Sequence, residues 1–180
     1  RDMDDPNTSH DFGNDLIRIP LPENIRNIES IVRMAGYGDD LDAFVVSMNR
    51  AAERAAPEAR TLFIDAIRDI SFRDARKILD GRENEATLYF RGKMEARLTE
   101  VFQPIIQESL NSVGVTKKYK DLESIITTLP IKGSGDFNLE RYVTGKALDG
   151  LFTMVAREEK KIRENPEARV SDILKKVFGR

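Results

Sequence analysis

The chain has 180 residues, of which 40% are hydrophobic and 33% are charged, and its 29 basic and 31 acidic residues leave a formal net charge of −2. A chain of this length buries roughly 70% of the surface that its unfolded form exposes, which is enough for one domain with its own hydrophobic core. The balanced charge argues against a nucleic-acid partner, and no apolar run approaches the ~20 residues of a membrane-spanning helix.

Residues 1–16 are polar and predict an N-terminal arm, followed by a single all-helical domain over residues 17–180. The domain begins with IRIPLPE, in which Pro22 suits the first position of a helix. Apolar residues then recur at helical spacing at Ile25, Ile28 and Val32, and Gly36 suits a helix end. We therefore predict one helix across this stretch.

The next stretch, LDAFVVSMNRAAERAAPEARTLF, predicts two helices separated by Pro57. In the first of them, apolar residues at steps of three and four form one face, which consists of Leu41, Phe44, Val45, Met48, Ala52 and Ala55. Its alanines allow a neighbouring helix to approach closely. In the second helix we expect an inward face of Leu62, Phe63, Ala66, Ile67 and Ile70.

The helical pattern continues to the end of the chain. Ser71 and Asp74 start a short helix that ends at Gly81. A long pattern over about 83–112 contains Pro104, which we expect to kink or divide it. Further helices are predicted at 117–130, at about 139–164 and after Ser171. No strand-like alternation competes, so the sequence predicts an all-α, single-domain bundle of seven or eight helices, two of them long.

Four segments resemble a known family: RIPLP, LDAFVVSMNRAAERAAPEARTLFIDAI, DARKILDGRENEATLYFR and YVTGKALDGLFTMVAREEKKIRENPEARVSDILKKVFG. From about Phe12 to Gly179 the chain resembles the bacterial family called domain of unknown function 4197. The resemblance implies no activity, because the family has none established. It implies a location in the periplasm or cell envelope, because members usually carry an N-terminal export signal. That signal, and a helical segment that usually precedes RIPLP, are absent here, so we expect a mature or truncated form.

Two polar residues flank the apolar face of the helix before Pro57. Asn49 and Glu53 are one turn apart. They would either line a polar-rimmed pocket or bind backbone groups exposed at the corner with the next helix. The structural role is favoured, because a proline break leaves such groups unpaired.

A second polar strip runs along the late long helix. Tyr142, Lys146 and Asp149 are spaced four and three residues apart beside a broad apolar surface. A lysine between an aspartate and a tyrosine suits an anionic ligand or proton transfer. The alternative is an ordinary salt bridge on a solvated strip.

Glu158 and Glu159 follow on the same helix. They would either bind a cation, as a metal-site alternative, or leave Glu159 to pair with Arg163, which we favour. The single histidine, His10, and the absence of cysteine remove the usual partners of such a metal. We predict no cofactor, since TGKA at 144–147 and GSGD at 133–136 lack the other residues of a phosphate-binding loop.

These observations favour a non-enzymatic binding or interaction module of the bacterial envelope. Its ligand would be a small anionic molecule, a lipid-like chain or a peptide helix, in a groove lined by Asn49, Glu53, Tyr142, Lys146 and Asp149. One alternative is an acid–base hydrolase, which would need Lys146 with Asp149, or the Glu158–Glu159 pair, in one enclosed cleft. Another is a scaffold that docks a partner or forms a homodimer, which predicts a large exposed apolar patch.

Overall fold

The computed structural model describes residues 17–112, 120–121 and 138–166. These residues form helices and connecting segments without any strand, so the protein is all-α as predicted. Two single turns come first, and five longer helices follow. The elements are α1 Glu23–Arg26, α2 Glu29–Val32, α3 Gly38–Ala55, α4 Ala59–Arg68, α5 Phe72–Asp80, α6 Glu85–Ser112 and α7 Leu139–Glu164.

The predicted count of seven or eight helices is wrong for the part of the chain that the structure describes, where five helices exceed one turn. The helix predicted up to Gly36 is interrupted, because the backbone leaves helical geometry at Ile28. The helices predicted at 117–130 and after Ser171 lie outside the described residues, apart from residues 120–121, which are helical. The predicted arm, residues 1–16, also lies outside them.

The turn between α2 and α3 depends on a glycine. Residues Arg33–Tyr37 form a wide π-helical turn in which Gly36 has a φ of 92°. Residues with a side chain seldom adopt this left-handed backbone, whereas glycine adopts it without steric cost. Gly36 therefore ends the first helical region as predicted, and it allows α3 to start immediately afterwards.

Helix α3 confirms its predicted apolar face. Every residue of that face is buried, from Leu41 and Phe44 to Ala55. A turn of 3₁₀ helix at Ala56–Glu58 contains Pro57 and separates α3 from α4. The small side chains at the end of α3 allow it to pack closely on the long helix α6, and this contact forms one half of the core.

The two long helices form the other half of the core. Glu159, near the end of α7, binds the first residues of α6. Asp149, earlier in α7, binds Arg91, which lies further along α6. The two helices are therefore antiparallel. Helix α6 continues through Pro104 without being divided, contrary to one of the two expectations for that proline.

Helix α4 covers this pair only in part. Its Phe63 ring lies 5.7 Å from the ring centroid of Phe90 on α6 and 6.2 Å from that of Phe152 on α7. Ile67, which we expected to face inward, is 55% exposed. The prediction was wrong for Ile67, because none of the elements that the structure describes packs over that part of α4. Among the described helices, none combines the length and the apolar content required to cross a membrane.

The short connection between α5 and α6 provides a test of the local geometry. A β-carbon at Gly81 would lie 2.7 Å from the carbonyl oxygen of Lys77, whereas one at Gly92, in the exposed part of α6, would contact nothing within 4 Å. We expect Gly81→Ala to lower the free energy of unfolding by about 1–3 kcal/mol through overpacking. Gly92→Ala should raise it by about 0.5–1 kcal/mol through helix propensity. Urea denaturation measures both, and changes of the same sign would contradict the argument.

Candidate functional site

Asn49 binds the irregular segment at residues 17–22, which lies against α3. Its Oδ1 accepts a hydrogen bond from the Ile19 amide at 2.8 Å, and its Nδ2 donates to the Ile19 carbonyl at 3.2 Å and to the Val45 carbonyl at 2.8 Å. Ile19 is buried, so these bonds satisfy backbone groups that have no access to water. These hydrogen bonds connect Asn49 to the 17–22 segment and to its own helix, rather than to the corner at Pro57.

Tyr142 binds the same segment from the other side. Its hydroxyl donates to the carbonyl oxygen of Pro20 at 2.9 Å. The ring is half-buried, and burial raises the pKa of the hydroxyl above its usual value. The structure thus brings Asn49 and Tyr142 together across the 17–22 segment, which occupies the space between α3 and α7 at this level.

The other three residues predicted to line the groove do not meet in an enclosed cleft. Glu53 is half-buried on α3, and Lys146 is exposed on α7. Asp149 is also exposed and accepts a hydrogen bond of 2.8 Å from Arg91 of α6. The Arg91 guanidinium lies 5.4 Å from the centroid of the Phe152 ring. The Asp149 carboxylate therefore contributes to the contact between α6 and α7.

Glu159 is the buried carboxylate of the described region, and it caps a helix from outside that helix. One oxygen accepts from the Ala86 amide at 2.9 Å, and the other accepts from the Thr87 amide at 2.8 Å and the Thr87 hydroxyl at 2.7 Å. The amides in the first turn of a helix have no partner within it, so Glu159 supplies one to α6 and places a negative charge at its positive end.

Arg163 extends this network to α5. Its Nε and Nη2 donate to Glu159 at 3.0 and 2.7 Å, which confirms the predicted pairing four residues apart. Nη2 also donates to the Ile78 carbonyl in the last turn of α5 at 2.8 Å. The Glu159–Arg163 network therefore connects α5, α6 and α7.

The network determines the pKa of Glu159. Burial alone would raise the pKa, but the hydrogen bonds from the Ala86 amide, from Thr87 and from Arg163 outweigh it and hold the pKa below its usual value. The neighbouring Glu158 is exposed and accepts from Lys161 at 2.6 Å. The described residues contain no group of three or more metal-binding side chains.

The feature that the sequence did not locate is an apolar groove between α4, α5, α6 and α7, with a volume of about 480 Å³. Almost all of its lining is apolar, and the charged Glu158, Glu159 and Arg163 lie toward the carboxyl end of α7. Its apolar lining includes Phe63, Ile67, Ile78, Leu79, Phe90 and Val155. The broad apolar surface of α7 predicted an extensive contact with other helices. The spacing of apolar residues along the sequence does not indicate which part of that surface stays uncovered.

Comparison with known proteins confirms the resemblance drawn from the sequence. A family model described as Protein of unknown function (DUF4197) matches residues 7–179, which is nearly the whole chain. No curated protein and no solved structure matches.

The bonds of Asn49 predict a measurable loss of stability. Asn49→Ala leaves the buried amide and carbonyl of Ile19 without partners, so we expect the free energy of unfolding to fall by about 2–3 kcal/mol. Tyr142→Phe removes one half-exposed hydrogen bond and should cost about 1 kcal/mol. Urea denaturation measures both values. Hydrogen exchange at the Ile19 amide should accelerate in Asn49→Ala, and unchanged exchange there would refute the assignment.

The Glu159–Arg163 network predicts a pH dependence. Because folding lowers the pKa of Glu159, its contribution is fully present above the usual glutamate pKa of about 4.3 and is lost as the pH falls through the folded value. At pH 7 we expect Glu159→Gln to cost about 2–3 kcal/mol, since the charged acceptor of buried donors is removed. The difference from the wild type should shrink below about pH 4.

The matched control for this measurement is Glu158→Gln, which removes the same charge from an exposed neighbour. It should change the free energy of unfolding by no more than about 0.5 kcal/mol at any of these pH values. Equal effects of the two substitutions would mean that net charge, rather than the cap on α6, explains the loss.

Proposed function

This chain belongs to the DUF4197 family of proteins of unknown function, and from its geometry we propose that it binds one apolar, lipid-like chain in the apolar groove. The observation that carries the proposal is the combination of a ligand-sized volume, about 480 Å³, with a lining of almost purely apolar atoms. Pockets for small ligands fall between about 300 and 1,000 Å³.

The shape of the groove favours a narrow chain over a peptide helix. It follows α7 from Leu151 to Ile162, a distance of about 16 Å at 1.5 Å per residue. A helix is roughly 10–12 Å across with its side chains. A groove of this volume would therefore admit only a few side chains of a peptide helix. A single hydrocarbon chain can lie along the whole length, and burial of its surface would drive binding.

The charged residues near the groove are already paired. Glu159 and Arg163 bind each other and backbone groups of α5 and α6, and Glu158 binds Lys161. Recognition would therefore depend on the apolar chain more than on its head group. The small anionic ligand considered from the sequence has less support, because Lys146 is exposed and Asp149 binds Arg91.

The hydrolase alternative has no geometric basis in the described residues. Acid–base catalysis needs its side chains in one enclosed cleft, whereas Lys146 and Asp149 are exposed and both oxygens of Glu159 accept hydrogen bonds from the protein. The proposal retains the envelope location expected from the family resemblance, since that compartment is bounded by lipid.

Filling the groove tests the proposal. Val155 is half-buried in the groove lining, so Val155→Phe places extra carbon atoms where the ligand would lie. With the fluorescent fatty acid dansyl-undecanoic acid, we expect saturable binding to the wild type at one site. The dissociation constant should rise at least about tenfold in Val155→Phe, a difference of about 1.4 kcal/mol.

The matched control is Val46→Phe, on α3, where the valine is 46% exposed and outside the groove. It should alter the dissociation constant less than about twofold. Unchanged binding in Val155→Phe, or no binding to the wild type, would overturn the proposal. A wild-type dimer that Val155→Phe converts to a monomer would instead identify the groove as the interface of a scaffold.

A further inference from the structure

Helix α5 presents two apolar side chains directly to solvent. Phe72 is 83% exposed and is the most exposed large apolar side chain in the described residues, and Leu79 is 75% exposed. The two are seven residues apart, which is close to two helical turns, so they project from the same face. This face of α5 is therefore a candidate contact surface.

Basic side chains flank this apolar pair. Arg73, Arg76 and Lys77 are exposed, and none of them takes part in a salt bridge within the described ranges. Together with Phe72 and Asp80 they surround a shallow recess of about 530 Å³. The acidic Asp74 is half-buried and accepts a hydrogen bond from the Ser71 hydroxyl at the start of the helix, so Asp80 is the one acidic residue that lines this recess, against three basic residues.

The orientation of α5 is fixed by the rest of the protein. Ala75 and Ile78 are half-buried on its inner face, and Arg163 binds the Ile78 carbonyl at 2.8 Å. The helix therefore cannot turn Phe72 inward without breaking that hydrogen bond and exposing its inner face. The apolar pair and the basic side chains together form the outer surface at one side of the apolar groove.

From this arrangement we propose that α5 docks the protein on the surface of an anionic lipid bilayer. Helices that lie in a bilayer interface combine Phe or Leu side chains, which enter the acyl boundary, with Lys and Arg side chains, which bind anionic head groups. Phe72 and Leu79 supply the first, and Arg73, Arg76 and Lys77 supply the second. The positive charge of these three residues selects a negatively charged surface as the partner.

Docking by α5 would also supply the groove with its ligand. Leu79 is part of both the exposed face and the lining of the apolar groove, so the opening of the groove would face the lipid phase. This second step rests on the proposed function, whereas docking itself does not. A single lipid chain would then pass from the bilayer into the groove along a continuous apolar surface.

Vesicle flotation tests the docking. Vesicles of phosphatidylcholine alone are compared with vesicles of phosphatidylcholine mixed with phosphatidylglycerol, at low and high salt. We expect the wild type to bind the anionic vesicles, and to be released by salt because exposed charges are screened. Arg76→Glu with Lys77→Glu should reduce the partition coefficient at least about tenfold, and Phe72→Ser should reduce it about fivefold or more.

Two matched controls separate this surface from general effects of charge and hydrophobicity. Arg50→Glu with Arg54→Glu makes the same charge change on exposed positions of α3, and Met34→Ser removes an apolar side chain that is 81% exposed elsewhere. Both controls should bind anionic vesicles as the wild type does. Equal losses in the controls, or equal wild-type binding to both kinds of vesicle, would overturn the proposal.

The two proposals fail in different measurements. Phe72→Ser should still bind dansyl-undecanoic acid in solution but should no longer bind vesicles. Val155→Phe should still bind vesicles but should bind the fatty acid more weakly. A wild type that binds the fatty acid but no vesicle would overturn docking alone. A dimer that dissociates on Phe72→Ser would assign the α5 surface to contact between two copies of the chain, and this would overturn docking as well.

Discussion

The arrangement of the described helices depends on one buried carboxylate. Glu159 accepts hydrogen bonds from the first turn of α6 and from Arg163, and Arg163 reaches the last turn of α5. An uncompensated charge at a buried position would be costly, and here the backbone amides and the guanidinium supply the compensation. The same five-residue segment of α7, Glu159 to Arg163, therefore binds both the start of α6 and the end of α5.

A second buried polar residue has the same function at the other side of the bundle. Asn49 satisfies both backbone groups of Ile19, and Tyr142 binds the Pro20 carbonyl, so the 17–22 segment closes the space between α3 and α7. No equivalent segment among the described residues fills the space between α4, α5, α6 and α7, which is the apolar groove. Two of the polar residues predicted to line a site, Asn49 and Tyr142, thus make hydrogen bonds that hold the 17–22 segment in place.

Local features of this structure could be predicted from the sequence, and contacts between distant residues could not. Each feature that was predicted correctly involves residues that are close in sequence. These features are the buried face of α3, the break at Pro57, the Ser71–Asp74 cap and the Glu159–Arg163 pair. Periodicity identifies such features, because it reports which side of a helix is apolar. It does not identify the neighbour of that side: Asn49 binds Ile19, thirty residues away, and Ile67 lies on an apolar face but is 55% exposed.

The open groove and the closed polar network depend on each other. Soluble domains normally bury an apolar surface by letting adjacent helices move together. Here the hydrogen bond from Arg163 to the Ile78 carbonyl fixes the end of α5, and the bonds of Glu159 fix the start of α6. The groove lies beside these contacts, and Ile78, Leu79 and Val155 line it. The lipid-like chain that we propose as the ligand would therefore enter a groove that already exists without it, which would lower the cost of ordering the site.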